Sequence, residues 1–237
     1  MNIFNATVRL IYEDARWFFC KLAILYSTLP VFLFWLIIGT TFELDNAIGA
    51  ISGPMYFFIF FYAIIGYKAV LPIGMALGST RKMMLKAFYS VGIVATVFCV
   101  MILNFLQYIL ATLYQRGISS TNILHFGRIF LKEYNFFQYL WIDLMFCIFI
   151  FGISFLFTCF LHRIGFVNML IIIMFASILI TLLYYLGILD APIQWISGWN
   201  IKYFYFVTVL GIIGVSSLAG TYPLMANISL NKKATRI

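Results

Sequence analysis

Charge is scarce in this chain. Of 237 residues, Asp and Glu together number 7 and Lys and Arg 15, so charged residues are 9% of the whole. A soluble domain carries about 25%. Histidine is scarcer still. His125 and His162 are the only two, and they fall on opposite sides of the apolar runs. A His-based metal centre or catalytic triad is not expected from them, and a lone interfacial His reads as a solvated or capping residue. The four cysteines, Cys20, Cys99, Cys147 and Cys159, show no CxxC or metal spacing. Each lies in or beside an apolar run, where Cys acts as a small hydrophobe. A Walker A motif is absent. Gly74 to Lys82 (GMALGSTRK) lacks the G-x-x-x-x-G-K-[ST] order, and no strand precedes it. No two acids face each other in mid-span, which argues against an aspartyl intramembrane protease. A proton-coupled carrier would show a buried Asp, Glu or His; Asp143 and Glu43 come closest, and both sit near the outer surface. The chain is expected to be no enzyme and to need no cofactor.

Apolar residues are abundant. They make up 65% of the chain, aromatics 20%, and the mean hydropathy is +1.06. No soluble core of this length could bury that much, so the expected class is an all-α integral membrane protein in one permease domain, 1–237. The formal net charge of +8 would suggest nucleic acid in a soluble protein. Here the basic residues stand at the ends of apolar runs, as in membrane proteins that fix their orientation by positive loops, and nucleic acid is not expected as a partner.

Residues 2–21 place Phe4, Val8, Ile11, Ala15 and Phe18 at helical spacing, with Asn5, Arg9, Glu13 and Arg16 opposite. That pattern predicts an amphipathic helix on the inner membrane surface. The charges would also interrupt the apolar region of a cleavable signal, so none is expected. Six spans follow, at about 22–42, 51–67, 88–114, 140–161, 166–187 and 203–225, each near the ~20 residues needed to cross ~30 Å of hydrocarbon. Pro30 should kink the first. Asn104 and Gln107 lie inside the third, either bonded to a neighbouring helix or lining a path. In the outer loop 115–139, Ile123, Phe126, Phe130 and Tyr134 suggest a short surface helix. Asp190 can cap another near Pro192, with Trp195 and Trp199 in the interfacial belt.

Orientation follows from charge. With the N-terminus inside, Arg9, Arg16, Lys21, Lys68, Arg81, Lys82, Lys86, Arg163, Lys232, Lys233 and Arg236 face the cytoplasm, eleven residues against four (Arg116, Arg128, Lys132, Lys202) outside. The positive-inside rule then puts both termini in the cytoplasm, and the expected location is the plasma membrane of a bacterial cell.

The stretch Lys68–Lys86 (KAVLPIGMALGSTRKMMLK) is the most informative loop. Its four basic residues would each cost about 2.5–3.5 kcal/mol at a span centre. Ala69–Leu77 can form two helical turns, with Val70, Ile73 and Leu77 on one side and Pro72 in the first turn. Gly78 suits the helix end, Ser79 or Thr80 can cap the next helix, and Arg81 and Lys82 open it. Such a corner is stiff and would carry a push to both neighbouring spans.

Leu71-Pro72-Ile73-Gly74-Met75-Ala76-Leu77-Gly78-Ser79-Thr80-Arg81-Lys82 resembles the PxxxxLGxTRK pattern in the first cytoplasmic loop of ABC-2-type exporter permeases. The whole layout is similar, and the small size resembles bacterial permeases that export bacteriocin-like or amphipathic toxin peptides, including the phenol-soluble-modulin exporter type. The resemblance implies a homodimer of permease subunits and two copies of a separate cytoplasmic ATPase. It makes Val70, Pro72, Ile73, Gly74, Met75, Leu77, Gly78, Ser79, Arg81 and Lys82 the coupling element, and the helix bearing Arg9, Glu13 and Arg16 the connecting helix. The implied cargo is amphipathic or hydrophobic, a peptide or a lipid-like molecule. Two other readings remain open from the residues: a secondary transporter or channel, and a non-transporting immunity or scaffold protein.

Overall fold

The structure, a computed structural model, describes residues 3–42, 48–129, 131, 134–188, 190 and 203–226. Helix α1 (Ile3–Arg16) runs into a π-helical segment (Trp17–Thr28) and then α2 (Leu29–Thr41). The remaining long helices are α3 (Ser52–Ala76), α4 (Arg81–Gln115), α5 (Phe136–Ile164), α6 (Phe166–Tyr185) and α7 (Tyr203–Ala226). Among the described residues, six helices are long and apolar enough to cross a membrane: Ile3–Thr41, then α3 to α6, then Phe204–Met225. The chain is therefore an all-α, multi-pass membrane protein.

Several details differ from the expectations. The first helix does not lie apart from the first span. Backbone angles stay helical at Arg16 (φ −59°, ψ −46°) and Leu29 (φ −65°, ψ −48°), so the chain is helical without a break from Ile3 to Thr41. Asn5, Arg9, Glu13 and Arg16 are exposed on α1, while Thr7, Ile11 and Ala15 are buried. The partners of that buried stripe are α4 and α3, so helix packing covers it. Ahead of Pro30 the helix widens: the Leu29 amide donates to the Ile24 carbonyl, five residues back. A wider turn relieves the clash between a proline ring and the carbonyl four residues before it.

The Lys68–Lys86 loop is largely helix. Helix α3 runs through Lys68 and Pro72 to Ala76, and α4 begins at Arg81. The predicted coupling helix is thus the C-terminal end of α3, and Pro72 lies inside that helix, not in a first turn. The basic residues mark where hydrocarbon must stop, and the helices continue past that point. At 1.5 Å per residue, α4 is about 52 Å long, well beyond a ~30 Å hydrocarbon layer.

The core lies where α1, α3, α4 and α5 meet. Phe88 is fully buried and stacks on Tyr62 (centroids 5.5 Å apart) and Phe151 (5.9 Å), joining three helices by one aromatic column. Helices α5 and α7 touch backbone to backbone. A Cβ placed on Gly152 would stand 2.1 Å from the Gly214 carbonyl oxygen, the close approach that small residues permit in membranes. A single residue, Gly165 at φ +88°, turns α5 into α6. No residue of α6 is buried within the chain.

Between α4 and α5, the described residues 116–129 form no α-helix. Residues Asn122–Ile123 (β2) pair in parallel with Ile48–Gly49 (β1), and Phe126–Ile129 makes one 3-10 turn. The predicted turn at Glu43 and Asp45, the helix near Pro192 with Trp195 and Trp199, Phe130, Lys132 and the basic tail lie outside the described residues.

Candidate functional site

Two places gather polar chemistry: the corner between α3 and α4, and a buried cluster toward the opposite end of the bundle.

The corner is four residues long, Leu77–Thr80. The Gly78 amide donates to the Met75 carbonyl (3.1 Å) and the Ser79 amide to the Gly74 carbonyl (3.0 Å). With Gly78 at φ +84°, this is a Schellman end, in a backbone region that favours glycine. The Thr80 side chain then accepts from the Met83 amide (3.3 Å) and caps α4. The predicted apolar side of this segment divides. Val70 is buried, whereas Ile73 (52%) and Leu77 (65%) are exposed. Pro72, Gly78 and Lys82 are exposed with them, and Met75 and Arg81 are intermediate. Gly74 is buried where α3 meets α4, since a Cβ there would stand 2.3 Å from the Met84 sulfur. Ser79 is also buried, and its hydroxyl lies 2.5 Å from that of Thr7. Thr7 gives its own proton to the Ile3 carbonyl (2.9 Å), so Ser79 is the donor. The corner is thereby clasped to α1. On the same helix Arg16 pairs with Glu13 at 3.6 Å in the open, a contact worth little.

The second cluster centres on Asp143, which is fully buried. Tyr56 of α3 donates its hydroxyl to Oδ1. Asn104 of α4 donates Nδ2 to Oδ2 at 2.9 Å and to the Val100 carbonyl at 3.2 Å. His125 Nε2 lies 2.6 Å from Oδ1. The Gly127 amide donates to His125 Nδ1 at 2.8 Å, so the proton of the neutral ring sits on Nε2 and is donated to Asp143. One carboxylate therefore accepts from three separate segments. The reading of His125 as a solvated residue does not hold: it is 3% exposed. Asp143 stands near the end of its span, as expected, but it is fully buried there, so the bundle does contain a buried acid and His that the sequence did not reveal.

Extended chain brings His125 in. Ser119, Thr121, Ile123 and His125 alternate inward, the period-2 pattern of a strand. The Ser120 amide donates to the Gly39 carbonyl (2.9 Å) and the Leu124 amide to the Gly49 carbonyl (2.9 Å), so this segment is seated on α2 and β1. Tyr139 stacks on the His125 ring with centroids 4.3 Å apart. Its other surroundings form a cavity of about 270 Å³, lined also by Tyr114, Gln115, Asn122, Arg128 and Tyr134. Burial pushes the Tyr134 phenol up, and its hydroxyl has no partner among the described residues.

Asn104 and Gln107, the predicted path-lining pair, are both fully buried. Asn104 Oδ1 and both amide atoms of Gln107 have no partner among the described residues. No group of three or more His, Cys, Asp or Glu able to hold a metal occurs among them. Comparison of the chain with protein families, curated proteins and solved structures finds no match, so the residues themselves carry the functional reading.

Proposed function

We propose that this chain is the membrane-spanning permease subunit of an ATP-driven exporter, moving an amphipathic or hydrophobic cargo outward with energy from a separate ATPase. The observation that carries this reading is the α3–α4 corner. It is a rigid Schellman turn that exposes Pro72, Ile73, Leu77, Gly78 and Lys82 while holding Val70, Gly74 and Ser79 inside. An apolar knob with a basic edge, projecting from two long helices, suits insertion into a groove of a partner. The Thr7–Ser79 clasp gives a route from that knob to α1, and through unbroken helix to α2. A push on the corner would move three helices together. Two such chains and two ATPases complete the machine. Within one chain α6 buries no residue, and a second copy would supply a surface for it.

The test is co-purification. The chain, extracted in mild detergent, should retain the P-loop ATPase encoded beside it, and Leu77→Glu should release that ATPase while the helical content is unchanged. If no neighbouring ATPase binds, or if the variant binds as well as the original, the reading fails.

A further inference from the structure

We propose that Asp143 is a proton-binding site, reached from the outer cavity through His125. A buried carboxylate in a helix bundle is costly and marks function by default. This one receives three donors and no cation among the described residues. Its surroundings are uncharged on the inner side. Tyr56 faces it from α3, Cys147 from α5, and Cys99 of α4 lies near Cys147. Tyr134 and Tyr139 lie toward the cavity, and Arg128 acts on Tyr139 from its wall. Helix α7 brings uncharged groups to the neighbouring Trp141: the Thr208 hydroxyl at 3.2 Å and the stacked Phe204 ring.

The route has a defined chemistry. His125 contacts Asp143, and Tyr139, which lines the cavity, stacks on the His125 ring. A proton arriving at Nδ1 opens the Gly127 N–H bond. The Nε2 proton then passes to Oδ1 of Asp143. The ring ends as the other neutral tautomer and the carboxylate as a carboxyl, with a net gain of one proton. Gly127 suits this arrangement, because a Cβ there would lie 2.8 Å from Nδ1. The neutral carboxyl also finds an acceptor. Nε2, left without a proton by the tautomer change, accepts from the new Oδ1–H, and Asn104 keeps an amide oxygen without a partner among the described residues. Gln107, one turn farther along the same face of α4, is a second unpartnered amide poised to adjust.

Polar groups continue inward on the same helices. Thr96 of α4 and Tyr62 of α3 bury hydroxyls without partners among the described residues, eight and six residues closer to the corner than Asn104 and Tyr56. At 1.5 Å per residue both lie roughly 10 Å below the cluster.

The full chain in lipid nanodiscs, with the proton as the probe, tests this by infrared difference spectroscopy. Acidification should raise a protonated-carboxyl band that Asp143→Asn lacks. After a pH jump, His125→Gln should slow the rise of that band by at least about tenfold, the loss expected for a removed proton shuttle. Tyr56→Phe removes a hydrogen bond to the same carboxyl and should shift the frequency of the band, which identifies it even if Asp143→Asn fails to fold. The proposal falls if Asp143→Asn and Tyr56→Phe both leave every carboxyl band unchanged. It falls also if no band appears above the pH at which helix is lost, or if His125→Gln follows the original rate. None of these readouts involves an ATPase, so the exporter reading stands or falls separately.

Discussion

The contact between α5 and α7 has no slack, and Gly152→Ala tests it directly. A methyl at Gly152 would meet the Gly214 carbonyl oxygen at 2.1 Å, its carbon at 2.7 Å and its Cα at 2.9 Å. Carbon atoms pack best at about 3.5–4.0 Å, so the helices must part by about 1 Å or more. Backbone cannot swing aside as a flexible side chain can. Overpacking of this kind costs about 1–3 kcal/mol. Alanine also recovers up to about 1 kcal/mol of helix propensity over glycine. Gly220 isolates that gain: it is on α7 too, with nothing within 4 Å of an added Cβ. Gly220→Ala should therefore stabilise slightly. The gap between the two variants is the overpacking alone, about 1–3 kcal/mol. Gly214→Ala presses on the same seam from the other side, at 2.6 Å from the Ile148 carbonyl oxygen. Once the seam has opened, the second methyl meets less resistance, so the double variant should cost less than the sum of the singles. Unfolding by added SDS from mild detergent, followed by circular dichroism, measures all four. If Gly152→Ala and Gly220→Ala unfold alike, the backbone seam is not as described.

Gly78→Val places a β-branched residue at φ +84°. In the same assay it should cost at least about 1–2 kcal/mol, since left-handed backbone disfavours a Cβ. Ser79→Ala removes the donor to Thr7 and should cost about 0.5–1.5 kcal/mol; in a Thr7→Ala background the same change should cost little, and equal costs in both backgrounds would refute the clasp. Asp143→Ala leaves Tyr56, Asn104 and His125 without their acceptor and should destabilise by about 2–4 kcal/mol, whereas Asp143→Asn, which keeps an acceptor oxygen, should cost clearly less; equal losses would show that the three donors do not share this carboxylate. Ile73→Glu should leave thermal unfolding unchanged, because that side chain is 52% exposed; a large loss would mean the corner is packed within the chain.

Hydropathy suffices to find the spans, because uninterrupted apolar runs of this length have few other uses. It also hides where the helices end. Lys68, Arg81, Lys82 and Lys86 were legible as charges that leave hydrocarbon, yet three of the four stand inside helix and Arg81 opens one. A charge reports on its solvent, not on its backbone. Gly78 and Thr80 were better guides to the corner, because a left-handed residue and an N-cap are local needs that a residue type can meet by itself.

The buried cluster was illegible for the opposite reason. Its parts come from positions 56, 104, 125 and 143, and each alone has a bland explanation. Asn104 was visible as an amide in a span, but an amide does not name its partner. Asp143 stands seven residues into α5, and its burial comes from α3, α4 and the chain folded over that end together, none of them adjacent in sequence. The missed signal lay in that chain. Ser119, Thr121, Ile123 and His125 repeat every second residue, as a half-buried strand does. Hydropathy does not register the pattern, since only Ile123 among the four is strongly apolar. What turns inward here is small or hydrogen-bonding, because the surface beneath offers the carbonyls of Trp35 and Gly39 and, at the end, a carboxylate. A polar strand over a polar floor is the arrangement an ionisable site requires, and it explains why a chain so poor in charge keeps one acid where water does not reach.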